Sequence, residues 1–236
     1  MVGRIAAAAI AALVITAGAG VAAPYVAAER TGADTARIIP PLVAPSRPEV
    51  QQRLGMQYET GDGVPQDYHE AARWYRLAAA QDNVEALVAL GDLLINQPAA
   101  ERNDKTILGY YRRAAALGSV EGLADVAWML ENGRGTKKDL ASALLLYQQA
   151  AAKGNDWAEY QIGWIYQSGS LGATDYTLAR QWYEKAAKDG STDAMRQLGA
   201  IHESGQGVPQ NYAQAFVWYE RAARAVDAWA QNKVGW

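Results

Sequence analysis

Residues 51–83 read QQRLGMQYETGDGVPQDYHEAARWYRLAAAQDN, and residues 195–227 read MRQLGAIHESGQGVPQNYAQAFVWYERAARAVD. The two stretches lie four periods of 36 residues apart. Weaker copies fill the interval without a gap. Leu54-Gly55 maps onto Leu90-Gly91, Val126-Ala127, Ile162-Gly163, Leu198-Gly199 and Val234-Gly235. Trp74-Tyr75 maps onto Tyr110-Tyr111, Leu146-Tyr147, Trp182-Tyr183 and Trp218-Tyr219. Ala78-Ala79 recurs as Ala114-Ala115, Ala150-Ala151, Ala186-Ala187 and Ala222-Ala223. A fixed period of this length marks an architecture of stacked supersecondary units.

Within one period the sequence predicts two antiparallel helices, A and B. In helix B, Ala71, Tyr75, Ala78 and Ala79 share one face at i, i+4, i+7 and i+8, and Trp74 widens it. Asp67 is placed as its N-cap, with Glu70 three residues on completing a capping box. Asn103, Asp139, Asp175 and Asn211 take the same place in later units. Helix B stops at Gly118, Gly154 or Gly190 in the middle units, and Asn83, Ser119, Asn155, Ser191 or Asp227 follows as the N-cap of a new helix A. The glycine in the middle of helix A costs about 1 kcal/mol of propensity against Ala. Its recurrence points to a close helix crossing. Helix A ends at Gly61, Gly133, Gly169 or Gly205, and a loop such as Gly61-Asp62-Gly63-Val64-Pro65-Gln66 turns the chain back.

One hairpin cannot bury its own apolar faces; stacking does. The expected fold is therefore all-α: a right-handed α-solenoid of antiparallel helix pairs, five full repeats from about 48 to 226 and a terminal helix from Asp227 that caps the stack. Trp (8) and Tyr (13) supply the core bulk that a single Phe does not.

The segments before the array read differently. Arg4 precedes an uncharged run, Ile5 to Ala28, so residues 1–28 read as an export signal or an N-terminal membrane anchor. Either way the solenoid, 48–236, is expected outside the cytoplasm, periplasmic or secreted. Residues 29–47, with three prolines and no periodicity, read as a linker.

The pattern A-x-x-x-L-G-x-x-Y-x-x-G-x-G-V-x-x-D-x-x-x-A-x-x-W-Y-x-x-A-A-x-x-G resembles that of the Sel-1-like repeats, a subclass of the tetratricopeptide-like α-solenoids. The first unit offers Leu54-Gly55, Tyr58, Gly61, Gly63-Val64, Asp67, Ala71, Trp74-Tyr75 and Ala78-Ala79. The second unit departs at Gln97-Pro98-Ala99, the third at Ala127, and the fourth at Gly169-Ser170-Leu171-Gly172. The resemblance implies a protein-binding adaptor rather than a catalyst; similar exported bacterial proteins act as envelope adaptors, signalling regulators and host-interaction factors.

Composition and motifs narrow the function further. A net charge of −3 gives no general attraction to nucleic acid. The absence of Cys excludes disulfide staples and thiol catalysis. It also removes the staples of the disulfide-rich relatives linked to cell-wall or β-lactam compounds, which leaves a hydrolase or binder of that kind as the alternative. Of the two histidines, His69 opens a B helix and His202 replaces Tyr58 and Tyr166. Ser168 and Ser204 sit at polar helix ends. No phosphate loop, dinucleotide fingerprint or metal-ligand spacing appears, so no cofactor or metal is expected.

The binding candidates lie in columns that vary from unit to unit. The position after the helix-A glycine reads Met56, Asp92, Trp128, Trp164, Ala200 and Trp236; four residues earlier come Gln52, Val88, Ala124, Tyr160, Arg196 and Asn232. By analogy with related solenoids this face is concave. Val88, Asp92, Trp128, Tyr160, Trp164 and Arg196 are then candidate contacts for a protein or peptide partner. Alternatively, the tryptophans fold down between adjacent helices as core. A monomer is favoured, although the unfinished sixth unit also fits a self-assembling structural protein.

Overall fold

The computed structural model describes residues 46–234, with side chains as far as Ala225. The segments read as signal or anchor (1–28) and the linker up to residue 45 lie outside the described residues, as does Trp236. Among the described residues ten helices follow one another: α1 (Pro48–Thr60), α2 (Tyr68–Ala79), α3 (Val84–Ile95), α4 (Asp104–Ala116), α5 (Val120–Asn132), α6 (Leu140–Ala151), α7 (Asp156–Ser168), α8 (Tyr176–Lys188), α9 (Thr192–Ser204) and α10 (Tyr212–Val234). Each packs chiefly on its neighbours in sequence, so the molecule is the expected all-α solenoid of helix pairs. The odd-numbered helices are the A helices and the even-numbered ones the B helices.

The caps form where the sequence puts them. Asp67, Asn103, Asp139 and Asp175 accept from backbone N–H groups in the first turns of α2, α4, α6 and α8. Asn83, Ser119, Asn155 and Ser191 do the same for the A helices. The capping box at Asp67 is only half made. Its own N–H donates to the Tyr58 carbonyl at 2.8 Å, closing the A–B loop, and Glu70 pairs instead with Arg73 at 2.9 Å. A tertiary bond has taken the donor that the local motif needed.

Each early B helix ends in a Schellman motif. The N–H of Asn83, Ser119, Asn155 and Ser191 reaches back to Ala78, Ala114, Ala150 and Ala186 at 2.9–3.2 Å. The residue before each cap must take positive φ; it is Gly118, Gly154 or Gly190, and in the first unit Asp82, at φ 60°. In the fifth unit this register position is Val226, whose β-branched side chain disfavours that conformation. No turn forms. The terminal helix expected to start afresh at Asp227 is instead the continuation of α10, which runs unbroken for 23 residues.

The mid-helix glycines mark the crossing that their cost suggested. A Cβ on Gly55, Gly91, Gly163 or Gly199 would come within 2.3–2.6 Å of the ring of Tyr75, Tyr111, Tyr183 or Tyr219 in the same unit. Each tyrosine thus lies flat on a helix backbone, and its hydroxyl finds a polar partner at the helix end. It donates to Glu59 (2.6 Å), Glu131 (2.9 Å), Gln167 (2.7 Å) and Glu203 (2.8 Å) in four units. In the second unit Ile95 stands in that place, and Tyr111 turns to Asp92 at 2.8 Å. Ala127 shows that the third unit takes a methyl group here with Tyr147 still fully buried.

The irregular second loop keeps its hairpin by a different device. Without the left-handed glycine, Arg102 donates to the Ile95 and Gln97 carbonyls at 3.1 and 3.3 Å and to Asp104 at 2.7 Å. Asp104 also takes Arg134 of the next loop at 3.0 Å, which holds its carboxyl below the usual range. One carboxylate therefore ties two consecutive loops together.

Candidate functional site

The six candidate residues lie on α3, α5, α7 and α9, at two register positions one helical turn apart. They share a face, but they do not share an environment. Trp164 stands out, 43% exposed. Trp128 is half-buried: it packs on the α5–α6 and α4–α5 cores and carries the Arg134 guanidinium 4.9 Å from its ring centroid. Tyr160 is half-buried, its ring centroid 5.6 Å from that of Tyr183. Val88 packs partly into the core beside Leu87 and Leu90. Asp92 accepts from the Tyr111 hydroxyl, and Arg196 pairs with Asp193 one turn before it. The two readings of the tryptophan column thus divide between its members. Trp128 is in part structural, and Trp164 and Met56 remain open.

Sequence reasoning passed over the carboxylates on this face. Asp125 lies one turn before Trp128 on α5. Burial, then repulsion from Asp92 and Glu121, pushes its carboxyl up to about 7. Burial also raises Asp92 above the ordinary carboxylate value, with the Tyr111 hydrogen bond opposing it. Among the described residues neither has a cationic partner. The signal was available in register: Arg53, Ala89, Asp125, Gln161 and Gln197 occupy one column, and only the third unit places an acid there, diagonal to Asp92. Negative charge that repels itself on an open face is stabilised by an incoming cation.

A second overlooked group is Glu159, fully buried, with Oε1 2.8 Å from Lys185 Nζ. Lys185 also lies over the Trp182 ring. The pair links α7 to α8 within one unit. Its register equivalents are Gln51, Leu87, Leu123 and Met195, so it is a polar variant of a core position.

The geometry holds little for catalysis. His202 is half-buried, and Ser168 and Ser204 bond back to carbonyls of their own last helical turn. Among the described residues, no three His, Cys, Asp or Glu side chains are grouped to hold a metal ion, and no helix is long and apolar enough to cross a membrane. Two open hollows of about 430 and 440 Å³ are present: one is lined from α8, α9 and α10, and the other, at the N-terminal ends of α7 and α9, is lined in part by Asp156 and by Asp193, the partner of Arg196.

A stack of capped helix pairs with a variable A face and a recurrent tyrosine packed on each A helix is an α-solenoid of the interaction type. The Sel1 repeat family matches five times, at residues 48–83, 84–119, 120–155, 158–191 and 192–227, and the chain belongs to that family. It is similar to the uropathogenic Escherichia coli protective antigen c5321, which has an SLR fold: 36% identity over 80% of this chain, TM-score 0.62. The match spans 41% of the length of c5321. A Sel1 repeat protein of Oxalobacter formigenes is 30% identical over 79% of this chain and 76% of its own, with TM-score 0.68. A Klebsiella pneumoniae protein of the same type is 25% identical over 75% of this chain and 86% of its own, with TM-score 0.54. No curated protein matches the chain. Sel1 repeat proteins generally mediate protein–protein interaction, and the scaffold is generally non-catalytic.

Proposed function

We propose that this chain is a non-enzymatic adaptor of the bacterial cell envelope, exported through its N-terminal segment, that holds an extended peptide segment or partner protein on its helix-A face. The observation that carries the reading is Trp164. A large aromatic left 43% exposed in the middle of the helix-A face is the usual form of an interface anchor. Tyr160 precedes it by one turn, Trp128 lies at the equivalent place on α5, and Asp92 and Asp125 place two carboxyl groups without a cationic partner alongside. The segment that fits brings an apolar side chain to Trp164 and a basic one to the two carboxylates. Val88 and Arg196 flank the strip at either end.

The test is capture of partners from the envelope fraction by the tagged chain, followed by mass spectrometry. Trp164→Ala is the variant to use, because Trp164 contributes little to the core. It should lower partner recovery at least tenfold while the thermal midpoint stays within about 2 °C, as expected of a surface substitution. Undiminished recovery would remove the helix-A face from consideration. Recovery of the chain from the cytoplasmic fraction alone would remove the envelope.

A further inference from the structure

The last B helix of the array is built to be covered, and the described residues do not cover it. Tyr75, Tyr111, Tyr147 and Tyr183 are at most 3% exposed, because the next A helix closes over them. Tyr219 makes the same inward contacts, on Gly199 and Glu203, yet is 38% exposed. Phe216, whose counterparts Ala72 and Leu108 are buried, is 67% exposed, and Ala223 is exposed where Ala79, Ala151 and Ala187 are buried. Phe216, Tyr219 and Ala223 fall at i, i+3 and i+7, one apolar stripe along α10.

The segment that would cover this stripe is present in the sequence. Residues 227–235 repeat the helix-A register: Asp227 at the cap position, Ala230 with Ala86, Ala158 and Ala194, and Val234-Gly235 with Leu90-Gly91. It cannot reach its own stripe. With Val226 in place of the left-handed residue, α10 continues straight, and Val234 stands about 22 Å along the axis from Tyr219. A capping segment carried away from its site on a continuous helix fits the same stripe on a second copy.

We infer that the chain forms a two-fold symmetric, helix-exchanged dimer in which residues 227–234 of each copy lie antiparallel on the Phe216–Tyr219–Ala223 stripe of the other. The exchange rebuilds at both ends the B-to-A packing that the first four units make within one chain, so the interface needs no contact type that the fold does not already use. The two-fold axis falls beside the hinge, near Ala225 and Val226. Two arrays then join end to end, with both helix-A faces left free. The partner is a second copy of this chain.

Because the chain has no Cys, one engineered thiol reports the axis without ambiguity. The full chain carrying Val226→Cys should form a disulfide-linked dimer on mild oxidation. Adding Phe216→Glu, a change at an exposed position that the monomer fold tolerates, should slow this cross-linking at least tenfold. In parallel, light scattering on the cysteine-free chain over 1–100 µM (about two decades, chosen to span ordinary dimer affinities) should give twice the chain mass. Val226→Gly restores the turn and lets residues 227–234 fold back, so it should return the mass to that of one chain. A single-chain mass throughout, or a dimer unaffected by Phe216→Glu, overturns the proposal. A dimer lost with Phe216→Glu but kept with Val226→Gly overturns the exchange.

Discussion

Tyr147 and Tyr219 hold the same register position, and the difference between them separates what makes this molecule a scaffold from what leaves it surfaces to use. Both rings lie on the preceding A helix, and both hydroxyls donate to a glutamate 16 residues back, Glu131 or Glu203. Tyr147 is sealed by α7; Tyr219 is not sealed, because α10 runs on past its turn. The same register position therefore gives a rigid core position in the middle of the array and a half-open one at its end. In a repeat protein each unit contributes its own hairpin plus one interface to each neighbour. A unit that lacks one neighbour loses that interface whatever its own sequence.

The largest expected effect tests this directly. Gly163→Val drives a branched side chain into the Tyr183 ring, which is fully buried and has nowhere to go. It should cost about 3 kcal/mol, the upper end for overpacking, and shift the urea midpoint accordingly. Gly199→Val makes the same clash with Tyr219, whose outer side is open, and should cost about half as much. Equal costs would mean that the end of the stack is as tightly closed as its middle.

The hydroxyls give a smaller contrast. Tyr147→Phe leaves the half-buried Glu131 without its donor, at about 1.5 kcal/mol. Burial already raises that carboxyl, and the Tyr147 hydrogen bond is what holds the rise down, so the variant should titrate higher still. Tyr219→Phe strands only the exposed Glu203, which water serves, and should cost a few tenths of a kcal/mol. Urea unfolding of the two variants, side by side, checks the ratio.

The last contrast concerns the candidate face rather than the core, and is read as a slope with pH. The Asp125 carboxyl is held near 7 in the folded chain against an ordinary value of 3.8. The folded state therefore binds a proton that the unfolded state has already released. Stability from this group is fully present below about pH 4 and is lost as pH rises toward and through 7. Between pH 5 and 8 the chain should lose on the order of 2–3 kcal/mol that Asp125→Asn does not lose. Partner binding that brings a cation to Asp125 should strengthen over the same range, with proton release measurable by calorimetry in buffers of different ionisation enthalpy. A pH-independent affinity would remove Asp125 from the contact.

The fold was legible because the repeat makes the same statement five times. A cap, a crossing glycine or a left-handed stop is weak evidence once and strong evidence when it returns every 36 residues. Asp67, Gly55 and Gly118 do in the structure what their types and positions dictate. The Glu70 half of the capping box failed because Tyr58 competed for the same N–H from another helix, and no local motif records such a competitor. The loop at Gln97-Pro98-Ala99 kept its shape through Arg102, a side chain whose reach to Ile95 and Asp104 depends on the folded hairpin. At the candidate site the column of variable residues was legible, but its division was not. Trp128 and Trp164 have the same register and residue type; Arg134, supplied by the next loop and held by Asp104, settles one of them and leaves the other open.

The sequence by itself determined the period, the helix pairs, nearly all the caps and the glycine crossings, because these follow from short-range sterics and hydrogen bonding that each unit specifies alone. It also contained the absence of a turn at Val226, which one β-branched residue is enough to enforce. Only the tertiary structure decided which aromatic side chains stay exposed, which carboxylates crowd one another, and where the stack lacks a covering helix. Those outcomes depend on what a neighbouring unit brings into contact, and burial is a property of the neighbour as much as of the residue.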